Sequence, residues 1–416
     1  MVSPLRYDSN SSEYKKARRQ HWKSTKNRQV DVDTSWSPFR AAEKRYKARF
    51  PPPDLSAVLD LASLLSANPP ALYQPTRICG SDVFILPDVP GLVLLPAFAC
   101  PQDQRHLVRW SLRDHARHPN ETNLDAHYVL PAEGIWNAHL QSRTAGTEPV
   151  LIRAKASLDD GSLPRSSSSG PRQLVANDTA SVDNFPTLQS VPKPPPEPST
   201  TVSDCCVASD LVPKLRWANI GWSYHWGSKQ YDFLKGKGTI DPFLRDLCKR
   251  AVGTVPWERV FDGDDLQGWG DDDCRTWKET YEPDAGIVNF YQTKDTLMAH
   301  VDRSEVCAMS PLVSISLGNA AIFLIGGLSR DTEPIPLLLR SGDVLIMSGP
   351  ACRRAYHGVP RILETTLPAH FSQPPDGDDK TMDWEPYKAY IRNTRININV
   401  RQVFPKGFDP HTLDAM

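Results

Sequence analysis

The chain has 416 residues, 39% hydrophobic and 23% charged, and its 48 basic and 49 acidic side chains leave a formal net charge of −1. That balance excludes a histone-like basic protein and an acidic tail protein, while leaving room for a local basic patch. The 38 prolines stand well above the usual ~5% share, so part of the chain is expected not to pack into a core. No run approaches the ~18–20 consecutive apolar residues of a membrane span, and the first twenty residues lack the apolar region of a secretory signal. A soluble, intracellular protein with no membrane partner is the expectation. The eight cysteines show no CxxC and are read as reduced thiols rather than a zinc site or a disulfide framework.

In chain order, residues 1–37 read as a disordered basic tail carrying Lys15, Lys16, Arg18, Arg19, Lys23, Lys26 and Arg28. Its charge suits a nuclear address, a mitochondrial presequence, a nucleic-acid arm or simple solvation. Nucleus and cytoplasm are the expected compartments, with the mitochondrion as a third. Residues 38–144 read as N-terminal helices and the first part of the main domain. PFRAAEKRYKARF and DLSAVLDLASLL place apolar residues at helical spacing, with Asp54 as an N-cap for the second. VFILPDVPGLVLLPAF is strand-like, and residues 100–118 form an amphipathic helix through Leu107, Trp110, Leu112 and His115. Residues 145–212, rich in Ser and Pro, read as a disordered insertion, because so little apolar surface cannot offset the entropy of ordering. Residues 213–408 read as mostly β, and 409–416 as a tail. Short strands separated by Gly-containing turns indicate a sandwich, jelly roll or barrel.

His300-Val301-Asp302 places an imidazole and a carboxylate on one face of a strand. His357 follows a strong strand signal, GDVLIMSG. Two His and one carboxylate on neighbouring strands compose the facial triad of non-haem Fe(II) oxygenases, although an ordinary His–Asp pair and an unrelated His would read the same way. In RININVR, Arg395, Asn397, Asn399 and Arg401 share one face and Ile396, Ile398 and Val400 the other. If the isoleucines pack outward, two arginines point into a barrel, and buried guanidinium needs an anion such as a dicarboxylate. A solvent-exposed edge strand is the alternative.

HVD at 300–302, His357 and RININVRQ at 395–402 resemble the AlkB family of Fe(II)- and 2-oxoglutarate-dependent dioxygenases, whose pattern is HxD, a distal His, then RxNxxxR. LRWANIGWSYHW, GIVNFYQ, AIFLIGGLSRD, SGDVLIMSG and HGVPRI resemble its eukaryotic type-1 branch. The resemblance covers roughly 38–140 and 213–405 and implies an α+β, mostly β fold: a double-stranded β-helix (jelly roll) core with N-terminal helices. It implies that His300, Asp302 and His357 bind Fe(II), that Arg395 and Arg401 pair with the two carboxylates of 2-oxoglutarate, that Asn289 and Tyr291 bond the same co-substrate, and that Asn397 supports the arginines. It implies stacking of a base by Trp136, Trp222, Ser223 and Tyr224, with Tyr231 nearby and Trp226 held less firmly. The implied chemistry couples O₂ and 2-oxoglutarate decarboxylation to hydroxylation of a base N-methyl group, which releases formaldehyde. The implied partner is nucleic acid: tRNA bearing 1-methyladenine or 5-methylcytosine, or single-stranded or unpaired DNA. A monomer is expected. The rival readings are a superfamily hydroxylase of protein side chains and a non-catalytic jelly-roll nucleic-acid-binding protein.

Overall fold

The computed structural model describes residues 11–25, 36–64, 75–144, 146–157, 178–199, 201–261, 274–373, 383–408 and 410. Its early strands are β1 (Thr76–Ile78), β2 (Ser81–Ile85), β3 (Leu92–Leu95), β4 (Leu151–Arg153) and β5 (Cys205–Val207). Next come β6 (Trp217–His225), β7 (Gln230–Lys237), β8 (Ala285–Gln292), β9 (Leu297–His300) and β10 (Leu312–Gly318). The last are β11 (Ala321–Ile325), β12 (Ile335–Leu339), β13 (Val344–Met347), β14 (His357–Ile362) and β15 (Thr394–Arg401). A nine-stranded antiparallel sheet runs β1-β2-β3-β13-β10-β15-β8-β6-β7, and a four-stranded sheet, β12-β11-β14-β9, faces it. This is the expected mostly-β jelly-roll core with helices added to it.

Period-two alternation sorts the large sheet into two faces. Val313, Ile315 and Leu317 of β10, Ile396, Ile398 and Val400 of β15, and Val288 and Phe290 of β8 pack outward. They meet Leu107 and Val108 of helix Pro101–Arg109, Ile135 and Trp136 of helix Gly134–Ser142, and Leu244 and Leu247 of helix Pro242–Thr254. The inner face is apolar toward β3 and β13, where Leu94, Leu345 and Met347 meet Phe323, Ile325 and Leu337 of the small sheet. It turns polar at β15 and β8. The outer face of the small sheet is covered by helix Pro38–Lys47, whose Phe39, Ala42 and Tyr46 pack on Ile322, Leu324 and Leu338. Ser37 caps that helix by accepting from Arg40 N–H, and Pro38 occupies its first turn, where a missing N–H costs nothing.

Several expectations fail. Of the second predicted helix, only Leu61–Leu64 is helical among the described residues. Asp54 accepts from Ser56 N and Oγ in a tight turn and caps nothing. Leu59 instead bonds β12, donating to Pro336 O and accepting from Leu338 N, so strand pairing overrides local helical propensity. The basic segment 1–37 is not wholly disordered: Ser12–Thr25 is a helix, and its Tyr14 and His21 meet the ring of Phe50. Residues 213–408 also contain helices the sequence reading missed, chiefly Pro242–Thr254 and Glu385–Ile391.

The insertion 145–212 is corrected as well. Its ends fold: β4 pairs β5, and Phe185–Ser190 is a helix. Ile152, Ala208 and Leu211 join the main core, and Phe185, 3% exposed, sits among Phe233, Phe404 and Phe408. Average composition concealed a few apolar residues spaced to dock on surfaces built elsewhere. Residues 158–177 and 411–416 lie outside the described residues. Phe185→Ala should therefore cost about 3–5 kcal/mol, as for a buried aromatic. Chemical denaturation checks this, and an unchanged midpoint would mean that the segment does not pack.

Candidate active site

A cavity of about 430 Å³ lies between the two sheets. Two strands of its wall follow from parity. β15 turns Arg395, Asn397, Asn399 and Arg401 inward, and β8 turns Ile287, Asn289 and Tyr291 inward. The register sets Tyr291 opposite Arg395 and Asn289 opposite Asn397. From the facing sheet, His300 ends β9 and His357 begins β14, and the two are direct cross-strand partners. Asp302 follows β9 by two residues.

The ligand atoms of His300, Asp302 and His357 all lie within 4.8 Å of one another. His300 Nδ1–H donates to Met298 O and His357 Nδ1–H to Ala355 O, each at 3.0 Å. Both bonds commit Nδ1 and leave Nε2 as the free lone pair, the arrangement metal-bound histidines use. Burial, reinforced by the facing His300, pushes the His357 imidazole down to about 4, so it is neutral and able to donate that lone pair at neutral pH. Burial opposes ionisation of Asp302, yet Arg401 and the two histidines hold its carboxyl well below the usual range. The donor set is thus two imidazoles and one carboxylate converging on one point, which fits a divalent iron with open positions.

Arg401 Nη1 bonds Glu305 Oε1 at 2.6 Å and Asp302 Oδ2 at 3.3 Å, and its Nη2 bonds Asn399 Oδ1. Arg395, 1% exposed, donates to Ser316 Oγ at 2.7 Å and Asn319 O at 3.3 Å. It faces the cavity with no carboxylate bonded to it among the described residues, and burial lowers it to about 10 against the opposing pull of Tyr291 and Asp343. Asn397 Nδ2 donates to Ser314 Oγ and Ile315 O, and accepts from Asn399 at its Oδ1. An amide ladder therefore runs along β15 into Arg401.

Of the residues expected to stack a base, Tyr224 and the less firmly held Trp226 line the cavity. Trp136 is 1% exposed on the outer side of the large sheet, against Tyr387 and Tyr390. Trp222 packs on Phe233 and Phe404. Ser223 bonds Glu121 and Asn219, and Tyr231 is buried beneath Tyr224. Trp226 takes the place expected of Trp136: it lines the cavity, is 42% exposed and stacks on Trp217 at 5.0 Å. Trp136 is kept away by its helix, Gly134–Ser142, which packs on the outer side of the large sheet, and the bulge between Trp222 and Ser223 breaks the alternation that would put Trp222 on the face of Tyr224. Glu305 was missed altogether. It sits in an irregular segment after β9, where no period marks a buried carboxylate.

Residues 176–401 match the 2OG-Fe(II) oxygenase superfamily. The chain is 29% identical over 402 residues to DNA N(6)-methyladenine demethylase ALKBH1A of Arabidopsis thaliana, covering 90% of this chain and 98% of that one. It is 30% identical over 375 residues to tRNA demethylase abh1 of Schizosaccharomyces pombe, covering 88% and 96%. Nucleic acid dioxygenase ALKBH1 of Mus musculus matches at 30% over 334 residues, covering 77% of this chain and 66% of that protein. The chain belongs to the 2OG-Fe(II) oxygenase superfamily. Within that class it is an AlkB-family dioxygenase of the eukaryotic type-1 branch. Fe(II), 2-oxoglutarate and O₂ are the cofactor and co-substrates of that superfamily, and the His-Asp-His cluster is suited to hold the metal.

Asp302→Ala should abolish Fe(II) binding in an anaerobic titration while leaving the fold intact, since Arg401 keeps Glu305 and Asn399 as partners. Undiminished iron affinity in that variant would remove Asp302 from the ligand set.

Proposed function

We propose that this protein oxidatively demethylates bases in nucleic acid, at unpaired or flipped-out nucleotides, with tRNA as the foremost substrate and single-stranded DNA as the second. One observation carries the reading. A single cavity is lined by a buried guanidinium, Arg395, that bonds no carboxylate among the described residues, by an exposed aromatic ring, Trp226, and by the His-Asp-His cluster. The guanidinium suits a dicarboxylate, and the aromatic ring suits a planar base. The named activities of the plant, yeast and mouse relatives are all directed at nucleic acid. Because both sheets, the cluster and both arginines come from one chain, a monomer is the proposed active unit. The nucleus and cytoplasm are the proposed compartments, on the basic segment 15–28.

In this reading His300, Asp302 and His357 hold Fe(II). Bound iron supplies O₂ activation driven by conversion of 2-oxoglutarate to succinate and CO₂. Arg395 binds the distal carboxylate of 2-oxoglutarate through a charge-assisted pair, with Ser316 and Asn319 orienting the guanidinium. Tyr291 and Asn289, opposite Arg395 and Asn397 in the ladder, bond the same molecule. Arg401 attracts the carboxylate beside the keto group while remaining tied to Asp302, so co-substrate and metal ligand share one cation. Asn397 and Asn399 hold that cation in place. Tyr224 and Trp226 stack the base at the mouth, and a base within a duplex must leave the stack to reach them. Hydroxylation of the methyl group leaves a hemiaminal that releases formaldehyde with no protein base required.

The two arginines should separate. Arg395→Ala removes one buried charge-assisted pair worth roughly 2–5 kcal/mol, so the KM for 2-oxoglutarate should rise at least about tenfold with little change in melting temperature. Arg401→Ala should lose stability as well, because Asp302 loses its bonded arginine and Glu305 keeps only the longer contact to Arg354 at 4.0 Å. An unchanged KM in Arg395→Ala would place the co-substrate elsewhere.

The aromatic mouth has its own test. Tyr224→Ala and Trp226→Ala should weaken binding of methylated RNA by about 1–3 kcal/mol, while decarboxylation uncoupled from substrate persists. Trp136→Ala should instead lose stability and both activities together. Equal binding of methylated RNA by wild type and the Trp226 variant would exclude the ring as a stacking platform.

A further inference from the structure

β9 is an edge strand of only four residues, yet it carries His300. Its pairing with β14 is irregular: His300 lies opposite His357 and Leu297 opposite Val359, so β9 holds one residue more than its partner over that interval. A bulge of this kind leaves peptide groups outside the ladder and bends the strand. The ladder alone therefore does not define where His300 points.

Two side chains from distant segments hold the peptide groups on either side of Ala299. Glu43 Oε1, from helix Pro38–Lys47, accepts from Ala299 N–H at 2.6 Å. Arg330 Nη2, from the loop between β11 and β12, donates to Ala299 O at 3.0 Å. Glu43 is 3% exposed and its other oxygen pairs with Arg40 at 3.1 Å. The circuit closes through the backbone, because Phe39 N–H donates to Arg330 O at 3.1 Å. Helix, loop and edge strand are thereby locked to one another directly behind His300.

The same arginine reaches the second histidine. Its guanidinium lies over the ring of Tyr356, 5.2 Å from the centroid, and Tyr356 immediately precedes His357. Tyr356 N–H donates to Gly327 O at 2.8 Å and its carbonyl accepts from Gly326 N–H at 2.9 Å, and its ring packs on Phe39. One guanidinium thus touches the residue before each histidine of the cluster.

We infer that Glu43 and Arg330 are positioning residues for the iron centre, fixing the two histidines through Ala299 and Tyr356 without touching metal or substrate. The inference rests on the proposed assignment of His300, Asp302 and His357 as iron ligands. A buried carboxylate bonded to a bulged peptide is costly to desolvate. Packing of the helix on the small sheet, through Phe39, Ala42 and Tyr46, needs no such group at position 43.

Anaerobic Fe(II) titration of the full chain, followed through the visible absorption of the Fe(II)–2-oxoglutarate complex, tests it on Glu43→Ala, Glu43→Gln, Arg330→Ala and Asp302→Ala. Melting temperature and 2-oxoglutarate affinity are measured on the same preparations. Partners that orient a metal ligand typically contribute 10–100-fold in metal affinity. Glu43→Ala and Arg330→Ala should therefore weaken Fe(II) binding roughly tenfold or more and shift the absorption. Glu43→Gln, which keeps an oxygen to accept from Ala299, should recover most of both. Arg330 is on the surface, so its variant carries the test if Glu43→Ala fails to fold. Wild-type Fe(II) affinity and spectrum in Arg330→Ala or a folded Glu43→Ala would overturn the inference. So would failure of Gln to rescue, with losses that merely track the melting temperature. Full Fe(II) binding by Asp302→Ala would overturn the ligand assignment itself, and the inference with it.

Discussion

Charge buried on the inner face of the large sheet governs this molecule. Arg401 cannot sit there uncompensated, and its partners are Asp302, a member of the His-Asp-His cluster, and Glu305. The ion pair joins β15 to the segment after β9 and couples the proposed co-substrate end of the cavity to the proposed metal end. Arg354 reinforces it from the other side, donating to the carbonyls of Asp302 and Glu305. The segment from 302 to 305 has no regular structure of its own. Two guanidinium groups give it one conformation.

Outside that network the structure is an exercise in two-faced strands. Every strand near the site has an apolar face for the helices or the opposite sheet and a second face that is polar only where the cavity passes. This is why Ser314, Asn397 and Asn289 coexist with a closely packed core: each lies one residue from a fully buried aliphatic side chain. The folded ends of the insertion serve the same region. Ala180 N–H donates to Arg303 O at 2.8 Å, beside Asp302, and His225 on the aromatic hairpin donates to Pro194 O at 2.8 Å. A segment poor in apolar residues is held by a few bonds to the metal loop and the hairpin, with Phe185 as its anchor.

Much of the site was legible because it is written in short-range periodicity. RxNxNxR assigns both arginines to one face of β15, and HxD keeps His300 and Asp302 two residues apart, but Asp302 lies past the end of β9 and Arg401 and Arg354 hold it in place. The aromatic residues were not legible in this way. Trp136 and Trp222 carry the same side chain as Trp226, and only burial separates the two core rings from the one at the cavity mouth. The bulge at Trp222–Ser223 shifts the alternation, and no local pattern announces it. Glu305 and Glu43 escaped for a related reason. A buried carboxylate is an ordinary surface residue by type, and its role depends on the partner that meets it.

The sequence by itself determined which residues share a strand face on β15 and β8, and with that the arginine face and the mostly-β core, because alternation at period two is a property of the backbone alone. Only the tertiary structure decided which aromatic rings face the cavity, how the ends of the insertion pack, and that Glu43, 256 positions from Ala299, bonds the strand that carries His300. Those outcomes depend on distances between segments that are remote along the chain. Strand register, bulges and helix packing set those distances, and they exist only once the sheets have closed on one another.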